Sequence, residues 1–567
     1  MARLDRRTLS VWASLALFGC HVELFDPLTA SEGASDIADE GDEANASVAT
    51  IEDSGEGADE GGDEEAGSPA FDVLGDDPAM SSSCEFAASL PSHLGCEFFG
   101  VDLDQAGLAD YDAYGFVIIN PQSRDVLVTV ERFVGHEWLI SESATIEPQQ
   151  THVFLPSDMH KLTTGLFDSA VLRIHSSLPV VAIEASPAQY NTEQPGFSAS
   201  ATLMQPSSGW TRETRVAGWR TQPGMADQAF LGVVTLEDFT PINVDLTFPL
   251  DPPPDDQAAR FPMSFDEPVT VGMGQLLRLS ALADPGDPLA GLAGTRIWSG
   301  QEQHSVVFSA HACAAIPSYE GSCGHTQEQL GNGLLGRHFV APRLLARVDG
   351  SGDDVPELIY ERTMIQVVAN EPDTLISVIR ADNQVLESVV IDPDEPYTIM
   401  QRDSELAVTS DKPVTVAAYM TNAEFTELGS ASMVQLAPVE QWTTSHWVWV
   451  PQGFETHLVV LGDPLTDDEP GAISITALAG VPLALLPDQV PDPVPLPSAP
   501  TTWIGKASVT ADGVGAHDVT RWALGPGVYR VESLTPTSVV VVGARVMDGF
   551  AYLGGWGPSL VDIGPPT

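Results

Sequence analysis

The sequence predicts an all-β protein of about four tandem β-sandwich-like units, preceded by a disordered acidic tether. From Cys84 onward, short β-branched runs alternate with Pro, Gly and Asp clusters, and no stretch has the amphipathic pattern of a long helix. A segment of one design also recurs four times, as a strand ending in Ser, a short turn and a second apolar strand. Its serines, Ser176, Ser299, Ser410 and Ser533, are 123, 111 and 123 residues apart. Such spacing suits one β-sandwich per repeat; a closed, propeller-like ring of the repeats is the alternative.

The chain is too long for one core, so we expect several domains. In the second repeat, residues 301–304 (QEQH) replace the proline-containing turn, which predicts a longer polar turn there. Composition and repeats together predict these segments: a lipoprotein-type signal peptide at 1–20, a disordered linker at 21–80, and β units at 81–205, 206–335, 336–440 and 441–567.

The charge of the chain is strongly negative and unevenly distributed. The formal net charge is −56, which would repel a phosphate backbone and argues against nucleic acid as a partner. Residues 21–80 contain nineteen Asp and Glu and no Lys or Arg. With few aromatic or β-branched residues, this segment cannot bury enough apolar surface to fold, so it predicts a flexible tether.

The N-terminus has the pattern of an export signal. Basic residues precede a short apolar run, and Leu17-Phe18-Gly19-Cys20 resembles a bacterial lipobox, in which Cys20 would be lipidated. The apolar run is too short to span a bilayer. The prediction is an exported cell-surface protein, an outer-membrane lipoprotein of a bacterium that contacts the membrane through its lipid only. An ordinary cleaved signal peptide is the alternative, and it too would export the chain.

The remaining four cysteines predict two disulfides. Paired cysteines are oxidised in exported proteins. Pairing Cys84 with Cys96 and Cys313 with Cys323 closes short loops. Two other pairings are possible. His311 and His325 flank the second pair, so these four side chains could instead bind Zn²⁺, but the exported compartment favours the disulfide.

Other candidate chemistry is weak. Asp349, Ser351 and Asp353 place oxygen ligands at alternate positions, as in a calcium loop, but Tyr360 stands where a bidentate acid is needed. Calcium is therefore a weak candidate cofactor, beside the interpretation of an Asp/Gly turn between domains. No standard catalytic motif occurs in the sequence, which predicts a non-enzymatic protein.

The segment that leads into Cys313 carries a family resemblance. It reads FSAHAC at 308–313, continues as Ile316-Pro317 and Cys323-Gly324-His325, and ends as Glu328-Gln329-Leu330. This order resembles the signature of the IgGFc-binding protein N-terminal domain family, in which Asp usually stands at the position of Gly324. The residues matched to the motif are His311, Cys313, Pro317, Cys323, His325 and Glu328.

Further blocks extend the resemblance over residues 84–430. GCEFFGVDLD at 95–104 is similar to the family's opening block, residues 114–121 to its next strand, residues 173–182 to its Ser-x-x-Pro-Val strand, and SASATLMQP at 198–206 to its Ser-rich block. The resemblance implies surface binding or adhesion as a class of function, since a fold-level likeness does not transfer a ligand.

The sequence thus favours a non-catalytic, lipid-anchored surface protein that binds an extracellular protein or glycan. Two alternatives belong to other classes. A secreted glycan-active hydrolase would place two carboxylates on either side of a cleft. A purely structural surface spacer would leave no exposed apolar or aromatic patch.

Overall fold

The computed structural model describes residues 83–105, 112–157, 161, 163–189, 198–221, 229–258, 260–261, 265–282, 291–300, 303–317, 323–348, 358–401, 403–421, 429–464, 473–478, 501–511, 514–545 and 548–558. The predicted signal peptide, the predicted linker at 21–80 and Cys20 lie outside these residues, as do Asp349, Ser351 and Asp353. Strands dominate, which confirms the all-β prediction. The described helical segments are short: α1 (Cys84–Ser89), α2 (Asp255–Ala258), and 3₁₀ turns at Ser207–Gly209, Asn332–Leu334 and Val439–Gln441.

The first sheet group is a sandwich built on one long strand. Its strands are β1 (Gly95–Gly100), β2 (Ala113–Ile119), β3 (Val126–Val134), β4 (Glu137–Ile146), β5 (Thr151–Phe154), β7 (Leu172–Gln189) and β8 (Ser200–Leu203). The first part of β7 pairs with β1 and β3, and its second part pairs with β2 and β8. These pairings give two sheets that share β7, in the orders β1-β7-β3-β4 and β8-β7-β2-β5. They enclose an apolar core that includes Phe98, Phe116 and Ile174.

The second sheet group divides its strands between two separate sheets. Its strands are β6 (Gly165–Phe167), β9 (Glu213–Arg215), β10 (Ala229–Thr235), β11 (Thr240–Asp245), β12 (Val269–Val271), β13 (Leu276–Ser280), β14 (Arg296–Trp298), β15 (Ser305–Ala314) and β16 (Gly324–Leu330). The sheet orders are β16-β15-β10-β13-β6 and β12-β11-β14-β9. Strand β6 comes from the chain segment of the first group, so the two groups interlock.

The third sheet group repeats the design of the first. Its strands are β17 (Gly336–Ala341), β20 (Thr363–Ala369), β21 (Thr374–Arg380), β22 (Val385–Ile391), β23 (Tyr397–Gln401), β24 (Leu406–Met420) and β25 (Ser432–Gln435). Strand β24 takes the place of β7. A separate pair, β18 (Ala346–Val348) and β19 (Leu358–Tyr360), lies within the same chain segment.

The fourth sheet group is built on a third long strand. Its strands are β26 (Thr443–Val450), β27 (Glu455–Gly462), β28 (Ile473–Ala477), β29 (Thr501–Ala511), β30 (Gly515–Leu524), β31 (Gly527–Arg545) and β32 (Asp548–Leu553). Strands β26 and β28 flank the first part of β31, and β27 and β32 flank its second part.

The recurring segment is a bulged continuous strand in three of the four groups, so the predicted strand-turn-strand was wrong there. In β7, β24 and β31 the neighbouring strand skips four residues, which run from the repeated Ser to a Pro. The hydroxyls of Ser176, Ser410 and Ser533 donate to the carbonyl two residues later at 2.6–2.7 Å. Pro fits there because no ladder N–H is needed. In the second group, the counterpart is broken into β14 and β15, which lie in different sheets.

The four groups close a ring around their inner strands. Strand β8 contacts β16, β16 contacts β25, β25 contacts β32, and β32 contacts β8. Each group therefore buries apolar side chains against its neighbours as well as inside itself. In β7, for example, Val180 and Ala182 face the core of the first group, whereas Val181 and Ile183 join a cluster shared with the third and fourth groups. Burial on both faces explains why these four consecutive residues of β7 are all apolar.

Candidate functional site

Strand β16 is the most polar of the four inner strands that close the ring. All seven of its residues, Gly-His-Thr-Gln-Glu-Gln-Leu, are buried, and it lies between the inner strands β8 and β25. Buried polar groups are costly unless they are hydrogen-bonded. Strand β16 carries His325 and Glu328 of the family motif. Its hydrogen bonds therefore show which parts of the structure the motif contacts.

His325 connects β16 to the first group. Its Nδ1 lies 2.6 Å from Ser200 Oγ and 3.2 Å from Gln105 Nε2, and its backbone N–H donates to Ser198 Oγ at 2.7 Å. Burial, followed by the neighbouring His311, lowers the pKa of His325 to about 3. The imidazole is therefore neutral at physiological pH.

Gln329 makes the most extensive set of bonds on the strand. Its side-chain amide accepts from the backbone N–H of Gln205 and donates to Phe99 O at 3.1 Å. Its own backbone N–H donates to Thr202 Oγ1 at 3.2 Å, and its carbonyl accepts from Gln205 Nε2 at 3.1 Å. One residue of β16 thus joins two segments of the first group, β1 and the segment from β8 to Gln205.

Two buried carboxyl groups lie in the same region. Burial raises the pKa of Glu328 well above its usual value, although its contacts with Thr202 and the backbone of Gln435 act in the opposite direction. Burial also raises the pKa of Glu184 in β7 to about 8, against the opposing effects of Tyr114 and the backbone N–H of Val101. Val101 donates to Glu184 Oε1 at 3.2 Å. These acids are therefore mainly protonated at neutral pH.

The remaining motif residues surround a disulfide. Disulfides join Cys84 to Cys96 and Cys313 to Cys323. His311 is buried in β15, where its Nδ1 accepts from the backbone N–H of Cys313 at 3.1 Å, and burial lowers its pKa to about 3. Pro317 follows a cis peptide bond three residues after β15.

Within the described ranges, no group of three or more His, Cys, Asp or Glu side chains is arranged to hold a metal ion. The cysteines considered for zinc are paired with each other, and the weak calcium candidates lie outside those ranges. In the same part of the chain, no helix has the length and apolar character needed to cross a bilayer.

The motif region forms a sealed network rather than a ligand-binding surface. Its side chains at His311, His325, Glu328 and Gln329 are at most 3% exposed, so they contact protein groups instead of solvent. A neutral imidazole and a protonated carboxyl group could exchange protons, but here their observed contacts hold inner strands together. The motif side chains therefore join neighbouring strands of the ring.

An open groove on the outer surface was not predicted from the sequence. We call it the Phe239 groove; it has a volume of about 420 Å³ and lies where the β3–β4 turn meets strands and turns of the second group. Phe239, in the β10–β11 turn, is 74% exposed and stands beside Asp238, with Asp168, Arg260 and Gln275 also in the lining. The sequence signal that could have indicated this groove is Leu236-Glu237-Asp238-Phe239, which places an aromatic residue at the end of a polar turn.

The pKa of Asp168 in this groove is shifted in the direction opposite to that of a glycosidase general acid. Arg260 holds the pKa of Asp168 below its usual value, with a smaller contribution in the same direction from Gln275. A general acid for glycoside hydrolysis needs the opposite shift, because it must carry a proton at the working pH. Asp168 therefore lacks the raised pKa that such a general acid needs.

Two edge strands leave apolar side chains in solvent. Strand β4 ends one sheet of the first group and β22 ends the equivalent sheet of the third. The exposed apolar residues on these edges are Leu139 and Ile140 in β4, and Val385, Leu386 and Val390 in β22. An exposed edge also presents unpaired backbone groups that can pair with another chain.

Comparison with known proteins places the chain in a family. The model for the IgGFc binding protein matches residues 200–543, more than half of the chain; it starts later and reaches further than the predicted 84–430. No curated protein matches the sequence. Among solved structures, a BSP domain of a biofilm associated protein aligns with 81% of this chain and 96% of its own, at 5% identity and a TM-score of 0.09. On the family match, the chain belongs to the IgGFc-binding protein family.

Proposed function

We propose that this chain is a non-catalytic surface protein of a bacterium, anchored by a lipid on Cys20, that binds an extracellular protein or glycan. The family is a binding family, and two disulfides are typical of exported proteins. In this proposal the acidic segment 21–80 holds the ring away from the membrane. The four β units at 81–205, 206–335, 336–440 and 441–567 form the binding body.

The observation that carries the proposal is the pair of exposed apolar edges, β4 and β22. Ile140 is 62% exposed and Val390 is 57% exposed, and the two strands occupy equivalent positions in sheet groups one and three. Exposed apolar patches mark interaction sites, and an open edge can accept an extended segment of a partner. A purely structural spacer would have no use for such a repeated feature.

Anchoring is tested by replacing the lipidated residue. Cells producing the wild-type chain or Cys20→Ser are labelled with a radioactive fatty acid and separated into membrane and soluble fractions. The wild-type chain should carry label and pellet with membranes, whereas C20S should carry none and be released. Label on C20S, or an unlabelled wild-type chain, would show that the lipid anchor is wrong.

Binding is tested with the full chain on arrays of glycans and secreted proteins. Ile140→Lys and Val390→Lys should each weaken the interactions that the wild-type chain makes, because a buried lysine on an interface is costly. Leu534→Lys is the control, since Leu534 is 83% exposed and lies in β31 of the fourth group. Equal effects of all three substitutions would rule out the edges as the binding surface.

A further inference from the structure

We propose that the Phe239 groove is a binding site for a neutral oligosaccharide. The inference rests on the proposed function, because it specifies a ligand class for one part of the binding surface. A volume of about 420 Å³ is within the usual range for small-ligand sites. Three features of the groove identify the ligand chemistry: an exposed aromatic ring, a pre-formed polar floor and compensated charge.

Phe239 presents its ring to the groove at an energetic cost. It is 74% exposed and its backbone φ is 56°, a left-handed conformation that is unfavourable for a bulky residue. Exposure removes the benefit of burying the ring, and the backbone adds strain. A ligand with an apolar face would compensate both costs by covering the ring, as the C–H face of a sugar does.

The turn that carries Phe239 is held firmly. Asp238 Oδ1 accepts from the backbone N–H of Phe239 at 3.0 Å and of Met273 at 3.2 Å. Thr240 Oγ1 donates to the carbonyl of Glu237 at 2.9 Å, and a Glu237 carboxylate oxygen accepts from the backbone N–H of His304 at 2.9 Å. The ring therefore occupies one position before any ligand arrives, which lowers the entropic cost of binding.

The polar floor is also pre-formed. Arg260 donates to both oxygens of Asp168, at 2.8 and 3.0 Å, and Gln275 Nε2 donates to Asp168 Oδ1 at 2.6 Å. A carboxylate offers about four acceptor sites and a guanidinium five donors. Asp168 can thus accept, and Arg260 can donate, further hydrogen bonds, and sugar hydroxyls can both donate and accept.

Charge within the groove favours a neutral ligand. Arg260 offsets Asp168 within a bidentate ion pair. Asp238 contributes the other carboxylate among the lining residues, and it already accepts two backbone N–H groups. A basic peptide would find little net negative charge, and an acidic one would meet Asp238. A neutral polyhydroxylated molecule uses the donors and acceptors without needing a counter-charge.

The opposite wall is locked to the first group. Trp138 of β4 donates through Nε1 to Met273 Sδ at 3.1 Å, and Ser169 donates to the carbonyl of Phe133 at 2.6 Å. Gly274 has a φ of 72°, and a Cβ at this position would collide with the ring of Phe133. Glycine therefore permits the close approach that joins the two walls, so the groove keeps its shape.

The test measures binding of maltotriose, cellotriose, chitotriose and mannotriose to the full chain by calorimetry. At least one trisaccharide should bind, and Phe239→Ala should weaken that binding about tenfold by removing the stacking face. Phe239→Gly should weaken it equally while leaving the melting temperature unchanged or higher, because glycine relieves the left-handed strain. Leu534→Ala, the matched exposed control, should change neither quantity.

Several outcomes would overturn the inference. They are binding of none of the four trisaccharides, trisaccharide binding that Phe239→Ala leaves intact, or binding only of a basic peptide with a steep dependence on salt. If the wild-type chain binds secreted proteins on the arrays but no saccharide, the surface-binding proposal stands and the saccharide site fails. If the chain is not lipidated or exported, the anchoring proposal fails whatever the groove binds.

Discussion

His325 and Glu184, two buried ionisable residues of the ring, are held in their neutral forms. Burial lowers the pKa of His325 to about 3 and raises that of Glu184 to about 8, because a charge is poorly solvated in a protein interior. Neutral groups can still hydrogen-bond, and both residues do so. At the scale of single residues, the family motif is thus a means of joining strands without burying charge.

Glu184→Gln should make stability less sensitive to alkaline pH. The folded-state pKa of Glu184, about 8, lies above the reference value of 4.5, so the folded chain retains a proton that the unfolded chain releases. Stability is therefore lost as pH rises from 4.5 through 8. Glutamine mimics the protonated acid, and the variant should exceed wild type by about 2–4 kcal/mol at pH 8.5, but little at pH 4.5.

This prediction is checked by urea unfolding at both pH values. Glu147→Gln, at an exposed position next to β4, is the control. Its difference in stability from wild type should be the same at both pH values. If Glu184→Gln is less stable than wild type by the same amount at both pH values, Glu184 is not held in its protonated form.

Strand β16 shows how an element can be polar and still central. Its Gln329 bonds through its side-chain amide to Gln205 and Phe99, and through its backbone N–H to Thr202, so hydrogen bonds replace apolar packing here. Such bonds require one register, because a shift of one residue would reverse every side chain. The polar strand therefore specifies how the first and second groups fit together.

Gln329→Met should destabilise the protein by about 2–3 kcal/mol, because methionine has similar size but leaves the Gln205 N–H and the Phe99 carbonyl without their partner. The free energy of unfolding in urea measures the effect. Gln384→Met, at an exposed position just before β22, is the matched control and should change stability by less than about 0.5 kcal/mol. Equal losses in the two variants would refute the role of β16.

At the scale of the whole molecule, buried ion pairs reinforce the ring. Glu405 of the third group is completely buried and accepts from Arg521 of the fourth group at 3.0 Å and from Arg343 at 3.2 Å. The guanidinium of Arg343 also lies 3.5 Å from the ring centroid of Tyr360. One carboxylate thus links two neighbouring sheet groups.

Glu405→Gln should lower the free energy of unfolding by about 3–5 kcal/mol, because it leaves buried arginine charge without its partner. Thermal and urea unfolding of the full chain provide the measurement. Glu532→Gln is the control, since its ion pair with Arg530 is largely exposed, with side chains 42% and 37% accessible, and should contribute less than about 1 kcal/mol. A small effect of Glu405→Gln would mean that packing alone joins the two groups.

The candidate site shows where sequence reasoning succeeded and where it stopped. The segment that contains His311 and Cys313 was recognised as a family signature, and the family match confirms the recognition. The burial of His325 and Glu328 could not be read from the sequence, because a polar strand is normally predicted to face solvent. Phe239 and Asp168 are about seventy residues apart in the chain, and only folding brings them into one groove.

By itself, the sequence determined the all-β class, the repeat with its recurring serines and the family. These properties depend on local composition and spacing, which are visible in one dimension. The tertiary structure decided that the Ser-to-Pro segments are bulges within long strands, that β6 crosses to the second group, and that four inner strands close a ring. Those features depend on which distant strands pair and on which strands are buried on both faces. No local sequence pattern encodes either property.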